Sequence, residues 1–276
     1  MNYKLLHIFQ NTPFGRETFL QSLYFCKTVD TFPAVYIPKS EKYLMYFSND
    51  AVQVNLDASY LRSPDTARGN AVEIADEMGV QISFYEPKNF TAPSLPDLPT
   101  NFDYLCWPQP VSGLLSKIRP GHLGLKVRRM IKHAAFPILI TSPVFKPWKS
   151  ISVFFGGSKN AMNALKTGLK VSMASGLPMN IYTLVEKGSQ ADYRKLIKTS
   201  ALEAPVDQLA ANWRFYEKTD FDAMLCDVAH DSLIVLGACG HGVIKDLLMG
   251  SKMAHIRSAM ANNLLITGPN CPVSLL

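Results

Sequence analysis

Leu233-Ile234-Val235-Leu236-Gly237-Ala238-Cys239-Gly240 passes straight from a short apolar run into two glycines, and nine residues then separate Gly240 from Gly250-Ser251-Lys252. A continuous apolar run of this length, closed by turn residues, reads as a strand buried on both faces, which is the habit of parallel sheets. Gly237 and Gly240 let the backbone turn tightly and come close to a ligand, because no Cβ intervenes. Gly250-Ser251 opens a predicted helix over about 252–260. Its first turn offers free N–H groups and the positive end of the helix dipole to anionic oxygens. The Ser251 hydroxyl and the Lys252 ammonium add a donor and a charge. Ala238 and His241 lie within this loop, His241 as a candidate ligand contact and Cys239 as a small residue beside a helix N-terminus. Together these residues have the chemistry of a phosphate cradle, although each glycine taken alone is equally well explained as a tight turn.

Working outward, strand and helix patterns alternate. Ile151 to Phe155 is a short apolar strand, Gly156-Gly157-Ser158 a turn, and Asn160 to Ser175 a helix with Ala161, Ala164, Leu165 and Leu169 at helical spacing. Gly176 and Pro178 close that helix. Asn180 to Val185 is the next strand, 191–202 a helix, Arg214 to Glu217 a strand, 221–229 a helix, and Leu264 to Ile266 the last strand. Such alternation predicts a parallel sheet with helices on both faces.

The same pattern occurs twice in the chain. From Gly124-Leu125-Lys126 and from Gly250-Ser251-Lys252, two stretches run without a gap to Ile138-Leu139-Ile140-Thr141 and Leu264-Leu265-Ile266-Thr267. Phe84-Tyr85-Glu86 matches Phe215-Tyr216-Glu217, and Leu6-His7-Ile8-Phe9 matches Ser152-Val153-Phe154-Phe155. Three matches in one order point to duplication. Pro143 to Trp148, with two prolines, is the stiff connector, so the expected domains are 1–146 and 147–276. The first carries an insertion: 42–47 and 52–56 flank Ser48-Asn49-Asp50 as a hairpin, while the proline-rich stretch 91–100 reads as a loop.

The 276 residues suit two ordinary domains, and 47% hydrophobic against 18% charged content supports packed cores. No apolar stretch approaches the roughly 20 residues of a membrane helix, and the N-terminus is too short in apolar residues for a signal peptide. Five scattered cysteines without a C-x-x-C pair read as reduced thiols, hence a cytoplasmic protein. The formal charge of +6 suits a phosphate-bearing partner. Lys117, Arg119, Lys126, Arg128, Arg129, Lys132 and His133 make a basic face at the end of the first domain. That face is either solvated or the dock of an acidic protein partner; nucleic acid is disfavoured, since no aromatic platform accompanies the charge. Cys226 and His230 share an i, i+4 spacing, but no set of four ligands surrounds them and no metal site is expected.

The G-x-x-G, nine-residue spacer and G-S arrangement resembles the ATP-binding signature of the universal stress protein family. Leu233 to Gly237 resembles that family's entry strand, and Ile151 to Leu165 its first strand and helix. The resemblance implies two tandem Rossmann-like, flavodoxin-like α/β domains. Each would be a five-stranded parallel sheet, and the two would pack through their last strands as a pseudo-dimer open to further dimerisation. It further implies that ATP, ADP or AMP, with or without Mg2+, binds between the first and fourth strands of the second domain. Gly237, Gly240, Gly250 and Ser251 would hold phosphates and ribose, and Gly156, Gly157 and Val185 would line the adenine side. Two departures stand out. Gly156 occupies the place of the family's acidic residue, and the first domain has Val111, Leu114 and Leu125 where the second has Gly237, Gly240 and Ser251. Pro108, Pro110 and Pro120 also reshape that first loop, although Gly113, Gly121 and Gly124 remain. The expectation is one working site, in the second domain of a stress-response regulator, with at most slow ATP hydrolysis because no dedicated base is evident. The rivals are an interaction module that has lost nucleotide and a slow adenine-nucleotide hydrolase built on the same sheet.

Overall fold

The structure, a computed structural model, describes residues 4–47, 50–56, 63–107, 125–217, 219–238 and 262–274. The first half contains β1 (Lys4–Ile8), α1 (Pro13–Thr28), β2 (Phe32–Tyr36), β3 (Lys42–Phe47), β4 (Asp50–Asn55), α2 (Pro64–Glu77), β5 (Ser83–Phe84), β6 (Phe90–Ala92), β7 (Leu95–Leu98), β8 (Tyr104–Trp107), α3 (Leu125–His133) and β9 (Ile138–Ile140). The second half contains β10 (Ser150–Phe154), α4 (Lys159–Ser175), β11 (Met179–Val185), α5 (Gln190–Thr199), α6 (Glu203–Leu209), β12 (Ala210–Glu217), α7 (Phe221–Asp227), β13 (Ser232–Gly237) and β14 (Asn263–Thr267).

One ten-stranded sheet runs through the molecule in the order β12-β11-β10-β13-β14-β9-β8-β1-β2-β5. Each half contributes five strands in the order third, second, first, fourth, fifth, parallel within the half. Among the described residues the halves meet in the sheet where β14 and β9 pair antiparallel, with Leu264 opposite Ile140, Leu265 opposite Leu139 and Ile266 opposite Ile138. The fold is therefore α/β, two tandem Rossmann-like halves joined through their fifth strands as a pseudo-dimer.

Alternation along the buried strands explains why they read as unbroken apolar runs. Leu233, Val235 and Leu265 point to one face of the sheet, among Ala161, Ala164, Leu165 and Leu169 of α4. Ile234, Leu236, Leu264 and Ile266 point to the other, among Met130 and Ile131 of α3 and Met224 and Leu225 of α7. Both layers cross the seam, so the two halves share one core. The connector is tied down as well: Lys146 N–H donates to Gln21 Oε1 at 3.0 Å, and Tyr24 OH donates to the carbonyl of the buried Trp148 at 2.6 Å.

The hairpin of the first half forms as expected, β3 against β4 with Lys42 opposite Asn55 and Phe47 opposite Asp50. The stretch 91–100 differs from its reading as a loop: β6 and β7 extend the hairpin into a four-stranded sheet ordered β4-β3-β7-β6. Pro96 is tolerated there because it lies opposite Phe90, where the β6–β7 register is irregular, while Asp97 and Leu98 keep the pairing to β3. Tyr43, Met45, Val52 and Val54 of this small sheet are buried with Ile8, Tyr36 and Trp107, the last residues of β1, β2 and β8. The insertion thus packs beside the carboxyl ends of the first half's strands.

Two further differences concern the second half. The expected helix over 191–202 is α5, which ends early at Thr199, and a separate helix, α6, follows from Glu203 after Ala201, whose φ is +55°. The helix starting at Phe221 stops at Asp227, so Cys226 and His230 do not share a helix face. The expected helix near 252–260 lies outside the described residues. No helix among the described residues is long and apolar enough to cross a membrane.

Candidate functional site

In this topology the chain leaves the first strand on one side and the fourth on the other, which opens a crevice between their carboxyl ends. In the second half those strands are β10 and β13, paired with Phe154 opposite Leu236. Beyond β10, Phe155 N–H donates to Tyr182 O at 2.9 Å, and the backbone then turns at Gly156 and Gly157. Gly157 needs to be glycine on two counts. Its φ is +73°, and a Cβ would stand 3.2 Å from both Tyr193 and Leu196. Ser158 caps α4 by accepting from Ala161 N–H at 3.1 Å. The N-terminus of this 17-residue helix, with Lys159 exposed on it and no acidic residue in its first turn, therefore opens toward the crevice.

The fourth strand ends in a tighter arrangement. Gly237 lies against the start of α4, where a Cβ would overlap the Asn160 carbonyl and the Ala161 nitrogen. The close approach that the glycine permits is thus made by a helix, a use the sequence did not reveal. Ala238 is fully buried and donates its N–H to Thr267 O at 2.7 Å. The Asn160 side chain donates to the Ala238 carbonyl. Asn160 and Thr267 were not singled out in the sequence; the available signal was an asparagine in the first turn of a helix that follows a glycine turn.

The remaining described residue, Val185, ends β11 opposite Glu217 and is half-buried. The next residue, Glu186, donates its N–H to Tyr193 OH at 3.3 Å, linking the β11 exit to α5 beside Gly157. The structure therefore brings Gly156, Gly157, Gly237 and Ala238 together around the first and fourth strands, with Val185 one strand away on the same edge. Gly240, His241, Gly250, Ser251 and Lys252 lie outside the described residues, as does Cys239.

Strand register also compares the two halves. His7 pairs with Cys106 as Val153 pairs with Val235, and Cys106 pairs with Leu139 as Val235 pairs with Leu265. Trp107 is then the counterpart of Leu236, and the residue that follows it in sequence, where the second half has Gly237, is Pro108. The gap-free match that put Val111 there is corrected: it holds on the fifth strand and slips by three residues on the fourth. The Phe84 match slips too. Val35 pairs with Phe84 as Ile181 pairs with Trp213, so Phe84 corresponds to Trp213 and not Phe215. A two-residue slip keeps the same face, and arginines cover both places, Arg68 3.9 Å from the Phe84 ring centre and Arg194 4.9 Å from that of Trp213. At the end of the first strand, Gln10 stands where the second half has Gly156. Neither half has a carboxylate there.

The basic face is partly engaged within the chain. Arg129 binds Asp50 of the hairpin through two nitrogens, and His133 Nε2 lies 3.4 Å from the same carboxylate. The Arg129 guanidinium holds the Asp50 carboxyl below the usual carboxylate range. Lys117 and Arg119 lie outside the described residues.

No family model matches the chain. A universal stress protein of Synechocystis sp. is 24% identical to it over 199 residues, 68% of this chain and 64% of that protein, so the chain spans less than two thirds of this curated relative. The crystal structure of a universal stress protein from Archaeoglobus fulgidus superimposes with a TM-score of 0.60 at 15% identity, covering 96% of this chain and 98% of that one. This is the tandem universal stress protein fold. The sequence relative is likewise a universal stress protein. Among the structural neighbours is also the cytoplasmic domain of a prokaryotic cation chloride cotransporter, with a TM-score of 0.52 at 12% identity over 100% of this chain and 99% of that one. One architecture therefore serves different proteins, and function rests on the site.

Proposed function

We propose that the chain is a cytoplasmic stress-response regulator of the universal stress protein type that binds one adenine nucleotide, ATP, ADP or AMP, in the crevice of its second half. The observation that carries this reading is the convergence of Gly156-Gly157 and Gly237-Ala238 at the switch point, beside the N-terminus of α4, at the start of the Gly240 to Gly250-Ser251 sequence. In this reading, phosphates meet the backbone N–H groups and hydroxyl of Gly250-Ser251, with Lys252 and His241 adjacent. The adenine lies toward Val185. With no carboxylate at Gly156, Mg2+ would enter on the phosphates rather than on a side chain from the first strand, and hydrolysis is at most slow. The first half acts as packing partner, its Pro108 standing at the position of Gly237 and its hairpin packed beside the strand ends.

A second reading, an interaction module without nucleotide, draws support from Gly156. Mass spectrometry of small molecules released from freshly purified protein decides between them. About one adenine nucleotide per chain, with the ATP-induced thermal shift lost in Gly240→Val and Ser251→Ala, is the expected result. No nucleotide and no shift with ATP, with or without Mg2+, would overturn the binding reading.

A further inference from the structure

We propose that Asn160 is a positioning residue for the candidate nucleotide loop, acting through Ala238; this rests on the nucleotide-binding reading above. Asn160 is buried at 7% exposure in the first turn of α4, and it joins three elements at one point. Its side-chain amide donates to the Ala238 carbonyl just beyond β13. At the end of β14, the one hydroxyl hydrogen of Thr267 is shared between the Leu236 carbonyl at 3.4 Å and the Asn160 carbonyl at 3.5 Å, and the Asn160 carbonyl packs where a Cβ on Gly237 would otherwise lie. Ala238 N–H in turn donates to Thr267 O. Both backbone polar groups of Ala238 are thereby spent on neighbouring elements, so the residue from which the loop departs is held before any ligand arrives. Fixing it in advance lowers the ordering cost that binding must otherwise meet.

The first half provides an internal comparison. Thr12 caps α1 through Gly15 N–H as Ser158 caps α4 through Ala161 N–H, so the counterpart of Asn160 is Phe14, which cannot donate. Pro108 stands at the position of Gly237. Thr141, the counterpart of Thr267, has its hydroxyl buried with no hydrogen-bond partner among the described residues. Among the described residues the clamp is seen in the second half, whose sequence keeps the glycine and serine signature.

The test uses the full chain and Asn160→Leu, which keeps the branched shape at a larger volume but removes the donor, with the smaller Asn160→Ser as a second variant should the first fail to fold. Two quantities are read: ATP affinity by calorimetry, and hydrogen exchange of the Ala238 amide without nucleotide. The expected result is faster exchange at Ala238 together with a rise in Kd of about tenfold or more, a change worth about 1.4 kcal/mol. Wild-type affinity despite faster exchange, or unchanged exchange, would overturn the positioning role alone. A wild-type chain that binds no adenine nucleotide would overturn the binding reading itself, and the clamp's role with it.

Discussion

Leu139 and Leu265 face each other across the antiparallel seam between β9 and β14, and each is the other's counterpart in the repeat. The pseudo-two-fold axis therefore passes between these two side chains, both of which are 1% exposed or less. Because the layers on both sides of the sheet continue across this point, the halves should melt together. Leu265→Ala is expected to cost roughly 2–5 kcal/mol through lost burial and the cavity left behind, as a single transition followed by circular dichroism and calorimetry. Two resolved transitions would show that the halves unfold separately.

Gly237 and Gly157 are glycine for different reasons, and alanine separates them. At Gly237 the methyl group collides with the backbone of α4, which has little room to retreat, so Gly237→Ala should cost about 1–3 kcal/mol and loosen the β13 exit. At Gly157 the penalty is set by the positive φ, about 1–2 kcal/mol, with the rings and methyls of Tyr193 and Leu196 adding to it. Urea midpoints at unchanged m-value would register both losses.

His7 makes the first half acid-labile. The ring is completely buried beside Phe19, and Ser22 Oγ lies 3.0 Å from its Nδ1. Ser22 Oγ lies equally close, 3.0 Å, to the Phe19 carbonyl, and His7 Nε2 is buried with no hydrogen-bond partner among the described residues. Burial lowers the pKa to about 3, from 6.5 in the unfolded chain. A group with a depressed folded pKa contributes stability above its unfolded value and loses it as pH falls toward the folded one. Stability should thus drop by about 2 kcal/mol between pH 7.5 and pH 5, and denaturant titrations of His7→Phe should lack that component of the slope.

Asp50 ties the hairpin to α3 through Arg129 and His133. Asp50→Asn should leave the sheet intact while freeing the hairpin, so limited proteolysis is expected to cut near residues 42–56 sooner than in wild type. An unchanged cleavage pattern would assign the docking to the apolar contacts of Tyr43, Met45, Val52 and Val54 alone.

What the sequence determined by itself was the periodic part of this protein. Runs such as Leu233 to Leu236 and Leu264 to Ile266 must be covered on both faces, and their alternation with helical spacing leaves a parallel sheet as the solution. The pseudo-dimer through the last strands was implied by the family resemblance; the similar but not identical fifth strands, Ile138 to Ile140 and Leu264 to Ile266, form its self-complementary edge. Register was beyond its reach. The three-residue slip on the fourth strand and the two-residue slip on the third are invisible in short apolar strings, since similar side chains satisfy either alignment, and only the hydrogen-bonded ladder selects one. The site divides in the same way. The turn at Gly157 was legible because glycine's backbone freedom is a local property. That Gly237 is filled by the Asn160 carbonyl, and that one asparagine amide holds Ala238, depends on residues 78 apart in the chain meeting at one point, which only tertiary packing decides.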